Sequence, residues 1–306
     1  MTRRRRPAAV AFRLVLAACA ALACRDDSAG SGDSSDAGAG SASAAAGPDE
    51  VRLVDAAGAT LVLPRPARRI VSLVPSATET LRAMGVDGVL VGRTDFDTQE
   101  WALGLPSVGG GLEPNLEAIV ALEPDLVVRF AGEQDPRTPA RLDALGVPHL
   151  GVRPDRVEDI YRTARLLGEA TGHVAAADSL VAALRTGLGT ASARARVLPR
   201  LRVAYVLGGT PPWVAGPGTY IDEVVALVGG DNVFADLGAL YASVSPEELR
   251  TREIDVVLLS TRGTYDRSLT PGARVELVGD ALEIPGPGVV EAAYHVGALL
   301  HGRSLR

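Results

Sequence analysis

The chain has 306 residues, an apolar fraction of 47%, a formal net charge of -6 and a pI near 5.4. That length suits two domains of ordinary size with enough apolar material for a core in each. The acidic balance leaves no basic footprint, which excludes nucleic acid as an expected partner.

The first residues read as a targeting segment over 1–23. Arg3 to Arg6 form a cationic start, residues 14–23 an uncharged apolar stretch too short to span a bilayer, and small residues precede Cys24. Ala21-Leu22-Ala23-Cys24 and Leu16-Ala17-Ala18-Cys19 are both similar to the lipobox of bacterial lipoproteins, in which the cysteine carries the lipid. Leucine three places before Cys19 favours that site, yet Arg13 would then break the apolar stretch. Cys24 is preferred, with Cys19 second and a soluble secreted protein as the plain alternative. Residues 24–50, dominated by Ser, Gly, Ala and Asp, read as a flexible tether.

The folded part follows in order. Residues 51–63 alternate apolar and polar around Ala57-Gly58, as a β-hairpin does. Residues 70–74 predict a strand, and Ser76 with Glu79 three places on predicts a capped helix start. Strands are expected at 89–92, 126–128 and 147–151, with helices at 116–122 and 139–145. Strand and helix in alternation imply a parallel sheet covered on both faces. From Val157 the pattern is helical for about forty residues, interrupted at Gly172, and residues 174–197 predict a helix roughly 35 Å long. Alternation then resumes: strands at 202–207, 256–260 and 281–284, helices at 220–228, 246–250 and 289–300.

One pattern occurs twice. Asn115-Leu116-Glu117 is followed ten residues after the Asn by Asp125-Leu126-Val127, and Ser245-Pro246-Glu247 ten after the Ser by Asp255-Val256-Val257. Each copy reads as an N-cap, a first-turn glutamate, a short helix and a buried strand. The expectation is two related lobes, 51–156 and 200–306, joined through 157–199, with a ligand cleft between them.

The string Arg69-Ile70-Val71-Ser72-Leu73-Val74-Pro75-Ser76-Ala77-Thr78-Glu79, with Asn115-Leu116-Glu117 and Glu123-Pro124-Asp125-Leu126-Val127, resembles the periplasmic solute-binding proteins of ABC importers for cobalamin, ferric siderophores and haem. Gly218-Thr219-Tyr220, Gly229-Gly230-Asp231-Asn232-Val233-Phe234 and Val244-Ser245-Pro246-Glu247 extend the likeness through the second lobe. The resemblance implies two Rossmann-like α/β lobes joined by a single long backbone helix, a ligand in the cleft, no catalysis and no cofactor. Its implied partners are a corrinoid or metal chelate, an ABC permease with its ATPase, and a membrane reached through the lipid anchor. The protein is then expected to be a periplasmic or cell-envelope monomer.

The same resemblance assigns ligand contacts to Phe96, Phe130, Trp213 and Tyr241, rings that offer a wide flat contact at low entropic cost. At a further contact position, where the cobalamin protein has an aromatic, this chain has Gly111. Arg129 and Arg262, expected just past the ends of their strands, would neutralise an anionic ligand. Glu117 and Glu247 match the pair that docks on permease arginines; a first-turn carboxylate also serves its own helix dipole. His149, His173, His295 and His301 show no metal-ligand spacing, so no metal site is expected. The competing class is a secreted two-lobed α/β enzyme, a hydrolase or chelatase, with Ser76 as its best nucleophile candidate. Against it stands the lack of a Gly-x-Ser-x-Gly elbow, a His-Glu-x-x-His pair or a placed histidine.

Overall fold

The computed structural model describes residues 49–260 and 265–306. Cys19, Cys24, most of the expected tether and Arg262 lie outside the described residues. Lobe one opens with the expected hairpin, β1 (Val51–Val54) antiparallel to β2 (Thr60–Leu63). Asp55 closes its turn by accepting from the Ala57 and Ala59 amides, both at 2.8 Å.

There follow β3 (Ile70–Ser72), α1 (Pro75–Ala83), β4 (Leu90–Gly92), α2 (Leu116–Ala121), β5 (Leu126–Phe130), α3 (Thr138–Ala144) and β6 (His149–Val152). The strands form a parallel sheet in the order β4-β3-β5-β6. Leu126 and Val128 pack on one face with α1 and the hairpin, while Val127 packs on the other with Leu116, Ile119 and Leu142 from α2 and α3. Both faces are buried, which is why these strands read as apolar runs.

Helices α4 (Val157–Thr171) and α5 (Val174–Ala195) come next, turning at Gly172 with φ 74°. A left-handed residue ends a helix cheaply only as glycine. Ala177 on α5 belongs to the core of lobe one, whereas Val181, Leu184, Leu188, Ala191 and Ala195 belong to that of lobe two. The helix is therefore the crossing between lobes, about 33 Å long for its 22 residues. Alongside it, antiparallel, α4 puts Leu166 and Leu167 into the first core and Ile160 and Ala164 into the second. The brace is a helix pair, and Gly168 lets the two approach: a Cβ there would meet the Ala177 Cβ at 2.5 Å.

Lobe two comprises β7 (Leu201–Gly208), β8 (Trp213–Ala215), α6 (Tyr220–Leu227), β9 (Gly230–Asn232), β10 (Tyr241–Ser243), α7 (Pro246–Thr251), β11 (Val256–Ser260), β12 (Arg274–Gly279) and α8 (Val289–His301). Its sheet is separate, ordered β10-β8-β7-β11-β12 with β9 also on β7. The fold is two-lobed and mixed α/β, but lobe two is more than a copy of lobe one: β8 and β10 add antiparallel strands.

Three expectations are corrected. Ser76 is not an N-cap: Pro75 takes the first helical position, where its preset φ and missing amide fit, so Val74 becomes the cap residue. The last strand is Arg274–Gly279 and not 281–284, because alternation with Arg274 and Glu276 suits an edge strand, while Leu282 is buried in a turn and accepts from the Tyr220 hydroxyl. Arg129 lies inside β5 and not past its end, since that strand runs on to Phe130.

Candidate functional site

A cavity of about 1080 Å³ lies between the lobes. Lobe one contributes Pro75 and Glu79 of α1 with Phe96 and Gln99 from the loop after β4; lobe two contributes Asp280 and Ile284 after β12, and His295 of α8. The carboxyl ends of β3 and β4 thus meet the carboxyl end of β12, the usual ligand position in open α/β sheets. Phe96 is 55% exposed there.

Polar chemistry on this wall is acidic. Gln99 Nε2 donates to Glu79 Oε1 at 2.5 Å. Burial raises the Glu79 pKa above the usual carboxylate value; the Gln99 bond opposes the rise and the Asp97 and Asp280 charges add to it. Sequence reasoning took Glu79 for a helix cap and did not find Gln99 or Asp280 at all. Their pairing across 20 residues and across lobes leaves no local spacing to read.

The other end of the interlobe region lies where the chain leaves β6. The Asp155 carbonyl accepts from the Tyr220 amide at 2.6 Å, and the Val157 amide donates to Glu223 Oε2 at 2.7 Å. Trp213 and Tyr241 stand on neighbouring strands, with Trp213 opposite Ser243 and Ala215 opposite Tyr241, so both rings share one face. Trp213 is 49% exposed and Tyr241 36%. Enough protein crowds the Tyr241 hydroxyl that burial, with the Asp155 carboxylate second, pushes its pKa up to about 12. Burial likewise raises the pKa of Tyr205 and Tyr220.

Phe130 ends β5, half-buried, with its ring over Gly132: a Cβ at 132 would meet it at 2.1 Å. Its strand partner is Val152, three residues before Asp155. Phe130 thus lies by the β6 exit, Tyr241 is within reach of the Asp155 charge there and shares a sheet face with Trp213, and Phe96 faces the cavity near β4 and β12. Arg129 is 5% exposed, donating to His149 Nδ1 at 3.1 Å and the Phe130 carbonyl at 3.0 Å, with Asp55 at 3.9 Å. Its charge is spent on the sheet and not offered to the cleft. At Gly111 a Cβ would lie 2.4 Å from the Leu73 carbonyl oxygen. Backbone fills the space that a side chain at this position would need.

Glu117 and Glu247 are both exposed in the first turns of α2 and α7, capped by Asn115 and Ser245. Glu117 borders a groove of about 830 Å³ with Val120 and Leu145. Glu247 lies 3.6 Å from Arg250. Among the described residues no cluster of His, Cys, Asp and Glu suits a metal ion. The chemistry available is that of a binding cleft: flat rings, carboxylates and amides.

A periplasmic binding protein family model matches residues 70–273. The vitamin B12-binding protein of Yersinia pestis (strain Pestoides F) is 33% identical over 203 residues, 65% of this chain and 72% of that protein. Among solved structures, a periplasmic vitamin B12-binding protein of Vibrio cholerae aligns at a TM-score of 0.67 and 25% identity, over 77% of this chain and 97% of that one. A periplasmic haem-binding protein of Roseiflexus sp. RS-1 in apo form aligns equally, at 0.67 and 25%, over 77% and 98%.

Proposed function

The chain belongs to the periplasmic binding protein family, whose members bind substrates and are not enzymes, and from that premise we propose that it captures a corrinoid, haem or ferric siderophore between its lobes and delivers it to an ABC permease. The observation that carries this reading is the interlobe cavity with Phe96 open on its wall. Rings supply the broad apolar contact that a macrocycle or catecholate needs. The α4/α5 brace restricts opening to small angles, so affinity comes from a pocket that is largely formed before the ligand arrives.

In this reading Phe96, Phe130, Trp213 and Tyr241 are ligand contacts, with Arg262 at the cleft after β11, and Glu117 and Glu247 meet arginines of the permease. The protein is periplasmic, and Cys24 carries the lipid that keeps it at the membrane. The secreted-enzyme alternative draws no support from the family or its relatives.

The test is a titration of the purified protein with cyanocobalamin, haem and ferric siderophores, followed by Trp213 fluorescence and thermal shift. A true cargo binds below about 10 µM, roughly -7 kcal/mol, and raises the melting temperature by mass action. Failure of every one of these ligands ends the proposal.

A further inference from the structure

We propose that the facing carboxylates of the interlobe cavity, Glu79 from lobe one and Asp280 from lobe two, make the cleft select a neutral ligand rimmed by N–H donors and reject one bearing carboxylates. The inference rests on the importer reading above and narrows its cargo to one chemical class.

Three observations converge on this wall. First, the cavity is acidic from both sides: Glu79 and Asp280 line it, Asp97 adds its field to Glu79, and on α8 the Glu291 carboxylate engages Arg306, so that arginine's charge is already answered. His295 is the other basic group lining the cavity. Secondly, the wall holds acceptors with nothing to accept. Asp280 has no side-chain partner among the described residues, and Gln99 Oε1 is buried without a hydrogen bond while its Nε2 is spent on Glu79. Ser76, between Pro75 and Glu79 in sequence and only 3% exposed, also has an unpartnered hydroxyl; it faces Gly286 of the opposite lobe, whose Cβ would lie 3.5 Å from its own. Asp280 is exposed to solvent, whereas the buried Gln99 oxygen and Ser76 hydroxyl are costly unless something supplies partners. Thirdly, Phe96 places a flat apolar face beside them.

A primary amide on a macrocycle rim answers all three: its N–H groups make charge-assisted bonds to the carboxylates and fill the amide acceptor, and its ring system covers Phe96. The corrin rim carries such amides. Haem carries two propionates, and each one brought near Glu79 and Asp280 meets like charge, which weakens binding by about tenfold. Of the two arginines expected as a positive counterweight, Arg129 is already held by Asp55 and His149, and Arg262 lies outside the described residues.

The test uses the purified full-length chain at pH 7 and three probes: cyanocobalamin, its monocarboxylate with one rim amide hydrolysed, and haem. The expected order is cyanocobalamin tightest, the monocarboxylate about tenfold weaker, and haem weaker still. The Glu79→Gln/Asp280→Asn pair should bring the monocarboxylate to within about twofold of the amide. Equal affinity of the wild-type protein for amide and carboxylate, or haem binding tighter than cyanocobalamin, overturns the inference and leaves the importer reading standing. No binding of any corrinoid or iron chelate removes the importer reading, and this inference with it.

Discussion

Asp255 grips Arg202 from two sides. Its Oδ2 accepts from the Arg202 main-chain amide at 2.7 Å, and its own amide donates to the Arg202 carbonyl at 2.9 Å. Asp125 treats Arg69 the same way in lobe one: Oδ1 accepts from the Arg69 amide at 2.9 Å, and the Asp125 amide donates to the Arg69 carbonyl, also at 2.9 Å. The aspartate that recurs ten residues after each N-cap is thus a clip at the start of paired strands, β11 on β7 and β5 on β3. It explains why the duplicated pattern ends in Asp and assigns that residue to the fold.

Replacing Asp255 by Ala should lower stability by about 1 to 2 kcal/mol, the low part of the range for bonds to a charged group, because the pair is partly solvated. The hydrogen bonds from Arg202 hold the Asp255 pKa below its ordinary 3.8. A depressed folded pKa stabilises above the unfolded value, so this contribution is present above about pH 4 and is lost as pH falls through the lowered value. Urea denaturation between pH 2.5 and 6 checks it: the gap between wild type and Asp255→Ala should shrink on acidification. A gap constant with pH would show that the carboxylate charge is not what matters.

The alkaline limb depends on tyrosines whose hydroxyls are crowded by protein. Tyr241, with its pKa pushed up to about 12, keeps its proton in the folded state after the unfolded chain has begun to lose it near 10. The folded state then binds more protons than the unfolded, so stability falls as pH rises from 10 towards 12. Tyr241→Phe should flatten that fall, measured by urea denaturation from pH 9 to 11.5 with absorbance at 295 nm tracking ionisation. An unchanged slope would place the effect on Tyr205 and Tyr220 instead.

Much of this architecture was legible because the strands are buried on both faces and α2, α6 and α7 have polar caps. Asn115 and Ser245 announce α2 and α7 by the bonds they make, 3.0 Å to the Ala118 amide and 3.1 Å to the Glu248 amide. What was illegible has physical causes. β8, β9 and β10 have three residues each, too few for alternation to show. Pro75 displaced the cap expected at Ser76. The Glu79–Gln99 bond joins α1 to the loop after β4 across 20 residues, and the Asp280 wall arises only when the lobes meet, so no window of neighbouring residues encodes them.

Gly111 gives a steric prediction. A Cβ there is 2.4 Å from the Leu73 carbonyl oxygen, a main-chain atom that cannot swing aside as a side chain can. Gly111→Ala should cost about 1 to 3 kcal/mol through overpacking, read as a lower midpoint in urea. Gly111→Trp, which supplies the aromatic that the family resemblance implies at this position, should unfold the loop sooner than improve corrinoid binding. Tighter binding by that variant with an unchanged melting temperature would contradict the crowding.

For membrane attachment, the prediction concerns two cysteines. Metabolic labelling with a radioactive fatty acid should mark the wild type and Cys19→Ser, and lose the signal in Cys24→Ser, where the protein should leave the membrane fraction. The reverse pattern would move the anchor to Cys19.

Docking is predicted to be uneven between the lobes. Glu117 has no side-chain partner among the described residues and sits beside exposed Val120 and Leu145, 44% and 49% accessible, so an arriving guanidinium meets an ionised carboxylate with apolar surface next to it. Glu247 is 3.6 Å from Arg250 on its own helix, and that pair must loosen before Glu247 can serve a permease arginine. An exposed pair of this kind is worth only about 0.3 to 0.5 kcal/mol, so the handicap is real but small. Glu117→Arg should therefore depress uptake more than Glu247→Arg, the double reversal should abolish it, and neither should change ligand affinity by more than about twofold. Arg250→Ala, by freeing Glu247, should leave uptake equal or slightly higher. Uptake of the labelled cargo in cells, set beside titration of the purified variants, separates the two effects: unchanged uptake in the double reversal would remove both glutamates from the docking surface.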